Sequence, residues 1–217
     1  MKPISALPRP LPSWDNDLTD AARPDWQTLE ARVAFESPWI VVEAHKAIAP
    51  TGKACDYGLV HFKNRAIGVV ALFDDGTIAM VGQKRYVLGA YSWEIPEGGA
   101  PLDEAPEAGG RRELREETGL MARDFQEILT MDLSNSVCDE ASVIYLATGL
   151  SQAATDMDST EVIEFARLDF KDVLQAAIRG EVRDAMTVAA LLRVHHMAVT
   201  GALEASLADK ILGGNKY

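Results

Sequence analysis

Residues 98–120 constrain this chain more strongly than any other part of the sequence. Three glutamates, Glu113, Glu116 and Glu117, stand within five positions near the end of this segment. The pattern predicts a helix over residues 107–118. Positions i, i+3 and i+4 of a helix share one face, so the three carboxylates should lie together within about one turn. Like charges at this spacing repel, and the fold must supply something that offsets the repulsion.

Two kinds of partner could offset this repulsion. Arg112 stands four positions before Glu116, so an ion pair between their side chains can form along the helix. A divalent cation would offset more, because carboxylate oxygens suit hard ions such as Mg²⁺ and Mn²⁺. For an Arg-Glu-Glu string taken alone, a solvated acidic helix face with Arg–Glu pairs remains the simpler alternative.

The wider spacing of the segment favours the metal site. The segment matches the pattern G-x5-E-x7-R-E-U-x-E-E-x-G-U, where U is a bulky apolar residue, at all nine fixed positions. This pattern is the signature of the Nudix hydrolase family, which the chain therefore resembles. The resemblance implies an α/β fold of the α+β kind: an α/β/α sandwich around a mixed sheet. Family members often have Ala-Ala where Gly109 and Gly110 stand here, and each helical glycine costs about 0.5–1 kcal/mol relative to alanine.

The resemblance also implies roles for side chains in and beside the box. Glu113 and Glu117 would be metal ligands, and Glu116 would be a ligand or a neighbouring carboxylate. The carbonyl group of Glu97 would be a further ligand, and Arg112 would orient the glutamates through salt bridges. The implied cofactor is Mg²⁺, for which Mn²⁺ can substitute.

The sequence on both sides of the box resembles the ADP-ribose and nucleoside diphosphate sugar pyrophosphatase branch of the family. A Gln-x-Arg strand that ends at Arg85 and a Trp-Glu-x-Pro-x-Gly entry into the box carry this resemblance. It implies hydrolysis of a pyrophosphate bond to a nucleoside monophosphate and a sugar phosphate. The residues with implied substrate contacts are Arg85, Trp39, Glu94, Ser134 and Glu140.

Two alternatives retain the same fold. The substrate could be another nucleotide, such as a dinucleotide or a flavin nucleotide. The domain could instead be a catalytically silent sensor of nucleotide sugars. A silent version would be expected to lose box glutamates, and this chain retains them all.

The resemblance places the general base, which accepts a proton from the attacking water, outside the box on a loop before a late strand. Here that loop covers residues 156–161. Glu161 is the first candidate, Asp158 the second and Glu140 the third, because a nearby carboxylate can deprotonate a metal-bound water at neutral pH. If none of them acts, Glu116 is the remaining candidate.

Interleaved strand and helix patterns predict a mixed α/β or α+β domain. Residues 1–30 are interpreted as an irregular arm, residues 31–64 as an N-terminal β extension and residues 65–217 as the Nudix domain. A Pro- and Gly-rich loop is predicted over residues 96–103.

Branch members exchange N-terminal strands in dimers, so the β extension, with Trp39, is expected to line the pocket of a second copy.

The charge of the chain narrows the range of partners. Lys and Arg number 21 and Asp and Glu 33, which gives a net charge of −12. Such a surface does not attract nucleic acid. The apolar runs are shorter than the roughly 20 residues that a membrane span needs, and two cysteines make no disulfide framework. The expected partners are a nucleotide-sugar substrate and a second copy, and the expected location is the cytoplasm.

Overall fold

The computed structural model describes residues 24–153 and 162–213. Within these residues the chain forms strands and helices in an alternating order. They are β1 (Gln27–Glu36), β2 (Ile40–Ile48), β3 (Ala54–Phe62), β4 (Asn64–Ala71), β5 (Thr77–Arg85), β6 (Ala90–Glu94), β7 (Glu97–Pro101), α1 (Pro106–Thr118), β8 (Leu120–Asp132), β9 (Ala141–Gln152), β10 (Glu164–Asp169), α2 (Phe170–Ile178), α3 (Ala185–Thr200) and α4 (Ala205–Leu212).

Strands β1, β2 and β3 form a three-stranded sheet in that order. Residues 24–35 and 42–59 cluster as one compact unit, whereas residues 36–41 and the described residues from 60 onward form another. Strand β1 begins at Gln27, earlier than the sequence pattern predicts, and all ten of its residues are exposed.

The second unit contains two further sheets. One has the order β7-β4-β9-β8, and the other has the order β10-β5-β6. Strands β4 and β9 run parallel, while β7 and β8 pair antiparallel with their neighbours, so the four-stranded sheet is mixed. This arrangement confirms the mixed α+β architecture that the family resemblance implies.

Strand β4 lies at the centre of the sandwich because both of its faces are apolar. The continuous apolar run over residues 66–73 is typical of a strand that is covered on both sides. Val69 belongs to a buried cluster with Leu114 of α1, whereas Val70 belongs to a buried cluster with Leu191 of α3. Helices α1 and α3 therefore cover opposite faces of the sheet, as an α/β/α sandwich requires.

The loop predicted over residues 96–103 is partly wrong, because Glu97–Pro101 form strand β7. Strand β7 pairs antiparallel with β4, with Glu97 opposite Gly68 and Gly98 opposite Ile67. Glycine and proline disfavour a strand locally. Here the hydrogen bonds to the buried strand β4 outweigh that unfavourable local preference. Strand β7 carries the first residues of the box, so its pairing with β4 fixes where the box begins in the sheet.

The helices of the second half begin with acidic caps. The carboxylate of Asp169 accepts a hydrogen bond from Lys171 N at the start of α2, and that of Asp184 accepts one from Thr187 N at the start of α3. In the described part of the chain, no single helix is long and apolar enough to cross a membrane; α3 and α4 pass that test only when taken together as a pair bent by 116°.

Candidate active site

Helix α1 carries the three box glutamates into different environments. Glu117 is buried at 6% relative exposure, whereas the side chain of Glu116 is 29% exposed and that of Glu113 is 12% exposed. The helix ends at Gly119, whose positive φ of 69° is the left-handed conformation common at helix ends. The shared helical face predicted from the spacing therefore runs from the interior toward solvent.

Arg112 connects the glutamates of the box to one another. Its Nη1 donates to Glu113 Oε1 at 2.7 Å and to Glu116 Oε2 at 3.0 Å. Its Nη2 donates to the carbonyl of Gly99 at 3.0 Å and to Glu104 Oε2 at 3.3 Å. Burial alone would lower the pKa of Arg112, but hydrogen bonds to Glu104 and Glu113 raise it above its ordinary value. The guanidinium thus remains charged and offsets part of the repulsion among the carboxylates.

Strand β7 approaches α1 closely at the start of the box. A side chain at Gly98 would overlap with the carboxylate of Glu113, so any other residue here would displace that carboxylate. One residue earlier, Glu97 N donates to Glu117 Oε2 at 2.9 Å. The backbone of β7 thus meets both glutamates that the family resemblance assigns as metal ligands.

The two helical glycines that depart from the common family pattern also lie at a close contact. A Cβ atom at Gly109 would come within 2.7 Å of the Cβ of Ala100 on β7. A Cβ atom at Gly110 would lie 3.1 Å from a methyl group of Ile67 on β4. The conformational cost of glycine in a helix is offset here by closer packing of α1 against the sheet.

Arg85, at the end of β5, is held by two carboxylates. Its Nε donates to Glu94 Oε2 at 2.9 Å, and its Nη2 donates to Glu94 Oε2 at 2.5 Å and to Glu97 Oε1 at 2.8 Å. The Glu94 side chain is only 3% exposed. Burial opposes the charge of Arg85, but its bonds to Glu94 and the attraction of Glu97 raise its pKa above the ordinary value.

The side chain of Glu97 completes a group of three acids. Ligand oxygens of Glu94, Glu97 and Asp184 all lie within 4.8 Å of one another. Burial raises the pKa of Glu97 well above its ordinary value, and the neighbouring Asp184 and Glu94 add to this effect. Among the described residues, Glu97 Oε2 is buried without a hydrogen-bond partner. Carboxylate oxygens of this kind suit a hard divalent cation. The cluster is distinct from Glu113 and Glu117, which the family resemblance assigns as metal ligands.

The comparison with protein families agrees with this geometry. A model described as the NUDIX domain matches residues 62–190, which contain the box, the β6–β7 connection and the start of α3. The chain belongs to the Nudix family.

Relatives place this Nudix protein more narrowly. An ADP-ribose pyrophosphatase of Mycobacterium tuberculosis is 30% identical over 80% of this chain and 85% of its own length. An ADP-ribose pyrophosphatase of Bacillus subtilis is 34% identical over 76% of this chain and 90% of its own length. A crystal structure of an ADP compounds hydrolase is similar in fold, with a TM-score of 0.74, 18% identity and coverage of 83% of this chain and 98% of that chain.

The chain is therefore a Nudix pyrophosphohydrolase of the ADP-ribose pyrophosphatase branch, and it acts on nucleoside diphosphate derivatives. Nudix enzymes generally use divalent metals, and Glu94, Glu97 and Asp184 form an acidic cluster of the kind that can hold such an ion.

Other side chains for which the sequence predicts substrate contacts lie on separate segments. Trp39 is 65% exposed in the turn between β1 and β2, where its carbonyl accepts a hydrogen bond from Lys63 N. Ser134 and Glu140 lie in the β8–β9 connection, and burial raises the pKa of Glu140. The candidate bases Glu161 and Asp158 fall outside the described residues.

Asp184 and Thr187 are two residues of this region to which the sequence did not assign a role. Asp184 caps the N-terminus of α3 and Thr187 lies in its first turn, about ninety positions after the β6–β7 connection. An acidic residue before an apolar helix predicts a helix cap and not a contact with the box. Residues 180–187 also resemble the ADP-ribose pyrophosphatase branch, but that resemblance assigned no contact to either side chain. Their proximity to Glu94, Ile95 and Glu97 becomes visible only in the folded chain.

Proposed function

We propose that this Nudix enzyme hydrolyses the pyrophosphate bond of ADP-ribose or a related nucleoside diphosphate sugar, with Mg²⁺ as cofactor. Water attacks one phosphorus, the bond from that phosphorus to the bridging oxygen breaks, and a nucleoside monophosphate and a sugar phosphate leave. The observation that carries the proposal is the approach of the Gly98 backbone to Glu113, next to the buried Glu117. The names of the two curated relatives supply the substrate class.

The proposed metal ligands are the carboxylates of Glu113 and Glu117 and the carbonyl of Glu97, with Glu116 beside them. Mg²⁺ usually binds one or two carboxylates and completes its shell with waters and substrate phosphates, which suits this donor set. When bound, Mg²⁺ or Mn²⁺ would neutralise charge on the diphosphate and lower the pKa of a coordinated water. Arg112 keeps the carboxylates in place through the hydrogen bonds described above.

Arg85 is the proposed phosphate contact. Its bonds to Glu94 and Glu97 use Nε and Nη2, so Nη1 is the nitrogen that we propose for a phosphate oxygen. Glu94 then contributes by fixing the orientation of the guanidinium. Further proposed substrate contacts come from Trp39, Ser134 and Glu140.

The proposed general base is Glu161, followed by Asp158 and Glu140. We expect Glu161→Gln to retain metal binding, because the box supplies the ligands, and to slow the chemical step by about 10²–10⁴-fold. Part of the rate should return as the pH rises and hydroxide forms without assistance. Single-turnover rates across pH measure this effect, with Asp158→Asn and Glu140→Gln as matched variants. If all three variants keep the normal rate, the loop base is wrong and Glu116 is the remaining candidate.

We further propose a homodimer in which the N-terminal sheet contributes to the site of the second copy. Alternation along β1 places Leu29, Val33 and Phe35 on one side of the strand, and all three are more than half exposed. A row of exposed apolar side chains on one side of a strand is a candidate association site. A monomeric mass at micromolar concentration would contradict the dimer.

The decisive experiment is a substrate panel with Mg²⁺. ADP-ribose and other nucleoside diphosphate sugars are compared with a dinucleotide and a flavin nucleotide, and products are identified by mass spectrometry in ¹⁸O-labelled water. We expect the highest kcat/KM for a diphosphate sugar, with the label in one of the two phosphate products. A higher kcat/KM for the dinucleotide or flavin nucleotide supports the other-substrate alternative. Binding of the sugars without turnover supports the sensor alternative.

We also propose a cytoplasmic location, as the sequence predicts. Cys55 and Cys138 are both free thiols in the structure, which is compatible with a reducing compartment.

A further inference from the structure

The hydroxyl group of Thr187 ties helix α3 to the backbone that leads into β7. Thr187 is completely buried, and its Oγ1 accepts a hydrogen bond from Ile95 N at 3.0 Å. Ile95 is also completely buried, so this backbone amide depends on an acceptor from the protein. Asp184 accepts a hydrogen bond from Thr187 N at 2.7 Å and so fixes Thr187 in the first turn of the helix.

Two more hydrogen bonds hold the residues that follow Ile95. Val69 N on β4 donates to the carbonyl of Pro96 at 2.8 Å. Glu97 N donates to the carboxylate of Glu117 on α1 at 2.9 Å. Three consecutive residues, Ile95–Glu97, are thus attached in turn to α3, β4 and α1. The attachment to α3 depends on the hydroxyl group of Thr187, which has no assigned part in the reaction at the box.

We propose that Thr187 is a positioning residue for the metal site. Its hydrogen bond holds the Ile95–Glu97 backbone so that the Glu97 carbonyl faces the glutamates of α1. The inference rests on the proposed function, in which that carbonyl is a metal ligand. Valine has nearly the shape of threonine but cannot accept the Ile95 hydrogen bond, whereas serine can.

The test measures Mn²⁺ binding to the full-length protein without substrate, by electron paramagnetic resonance of free Mn²⁺. We expect Thr187→Val to weaken Mn²⁺ binding by about 10–100-fold, as for other residues that orient metal ligands. Thr187→Ser should bind almost as tightly as the parent. Thr200→Val is the matched control, because it removes a hydroxyl that bonds only within the same helix, to the carbonyls of His196 and Met197.

Enzyme kinetics provide a second readout. Thr187→Val should need a higher Mg²⁺ concentration for half-maximal rate and should recover most of the parental kcat when Mg²⁺ is saturating. A merely structural role would instead lower the active fraction equally at all Mg²⁺ concentrations. Normal Mn²⁺ binding by folded Thr187→Val overturns the inference. An equal loss in Thr187→Ser also overturns it, because packing and not the hydrogen bond would then be responsible.

Two further measurements keep the inference separate from the proposed function. If Glu113→Gln and Glu117→Gln bind Mn²⁺ normally, the proposed metal site fails. If both lose binding while Thr187→Val does not, only the role of Thr187 fails.

Should Thr187→Val not fold, hydrogen exchange of the parent decides. Protection of the Ile95 amide in the metal-free protein supports the anchor, and rapid exchange overturns it.

Discussion

Strands β1 and β4 have similar lengths and both carry several aliphatic residues, yet their side chains meet opposite environments. The last five residues of β4 are buried, whereas every residue of β1 is exposed. Strand β4 pairs with β7 and β9 and is covered by α1 and α3. The Nudix unit therefore completes its own core, while the apolar side of β1 is exposed. We propose that a second copy covers it.

The candidate active site is built on the β4 side of this comparison. Gly98 lies opposite Ile67 of β4, and Glu117 lies on the helix that covers the same strand. Changes at the box should therefore affect catalysis with little effect on association, whereas changes on β1 should weaken association and lower activity only through loss of the proposed dimer. The predictions below test this separation, beginning with the largest expected effect.

Glu117→Gln should lower kcat by at least about 10²-fold, because it removes a charge that the proposed metal needs and keeps the shape of the side chain. The rate of product formation at saturating Mg²⁺ measures the effect, and circular dichroism checks that the variant is folded. Glu107→Gln is the matched control, since Glu107 is exposed on the same helix and pairs with Arg111. Nearly full activity of Glu117→Gln at saturating Mg²⁺ would exclude Glu117 as a ligand.

The same substitution in the two strands should have unequal effects on stability. Val70→Ala removes methyl groups from a completely buried position and should lower the free energy of unfolding by about 2–3 kcal/mol. Val33→Ala, at a position that is 54% exposed, should cost about 0.5 kcal/mol or less within one chain. Urea unfolding at low protein concentration measures both values, and equal losses would show that β1 is as well packed as β4.

Val33→Lys should weaken association by about tenfold or more, equivalent to about 1.4 kcal/mol, because it places a charge in the proposed interface. Light scattering over a concentration series measures the dissociation constant. The control is Glu30→Lys, which changes charge on the other side of the same strand. An unchanged mass for Val33→Lys, or an equal loss in the control, would place the interface elsewhere.

The smallest expected effect is a difference in Tm between variants of two exposed ion pairs. Asp75 accepts hydrogen bonds from Arg167 and Thr77, which lower its pKa, whereas Asp56 forms an exposed ion pair with Lys46. A depressed carboxyl pKa stabilises the fold above the unfolded value near 4, and this contribution disappears as the pH falls through the folded value. Asp75→Asn should therefore lower Tm slightly more than Asp56→Asn at pH 7.

The difference between these two variants should narrow steadily below about pH 4. Thermal unfolding followed between pH 2 and pH 7 checks both parts of this expectation. A gap that stays constant across that range would show that ionisation of Asp75 is not the cause.

Local spacing was sufficient to predict the box helix and to predict that its three glutamates share one face. The helix predicted over residues 107–118 is observed as Pro106–Thr118, with Gly119 at its end as expected. This succeeded because helical geometry alone places positions i, i+3 and i+4 together. Likewise, the apolar run of β4 predicts a buried strand without knowledge of its neighbours.

The sequence by itself determined the family, the reaction class and the carboxylates of the box, because all of these depend on residue types at short fixed spacings. Only the tertiary structure decided that residues 97–101 form a strand, that Glu97 lies beside Asp184, and that Thr187 accepts a hydrogen bond from Ile95. These contacts join residues far apart in the chain. They depend on strand register and on how α3 packs against the sheet, which no local preference specifies.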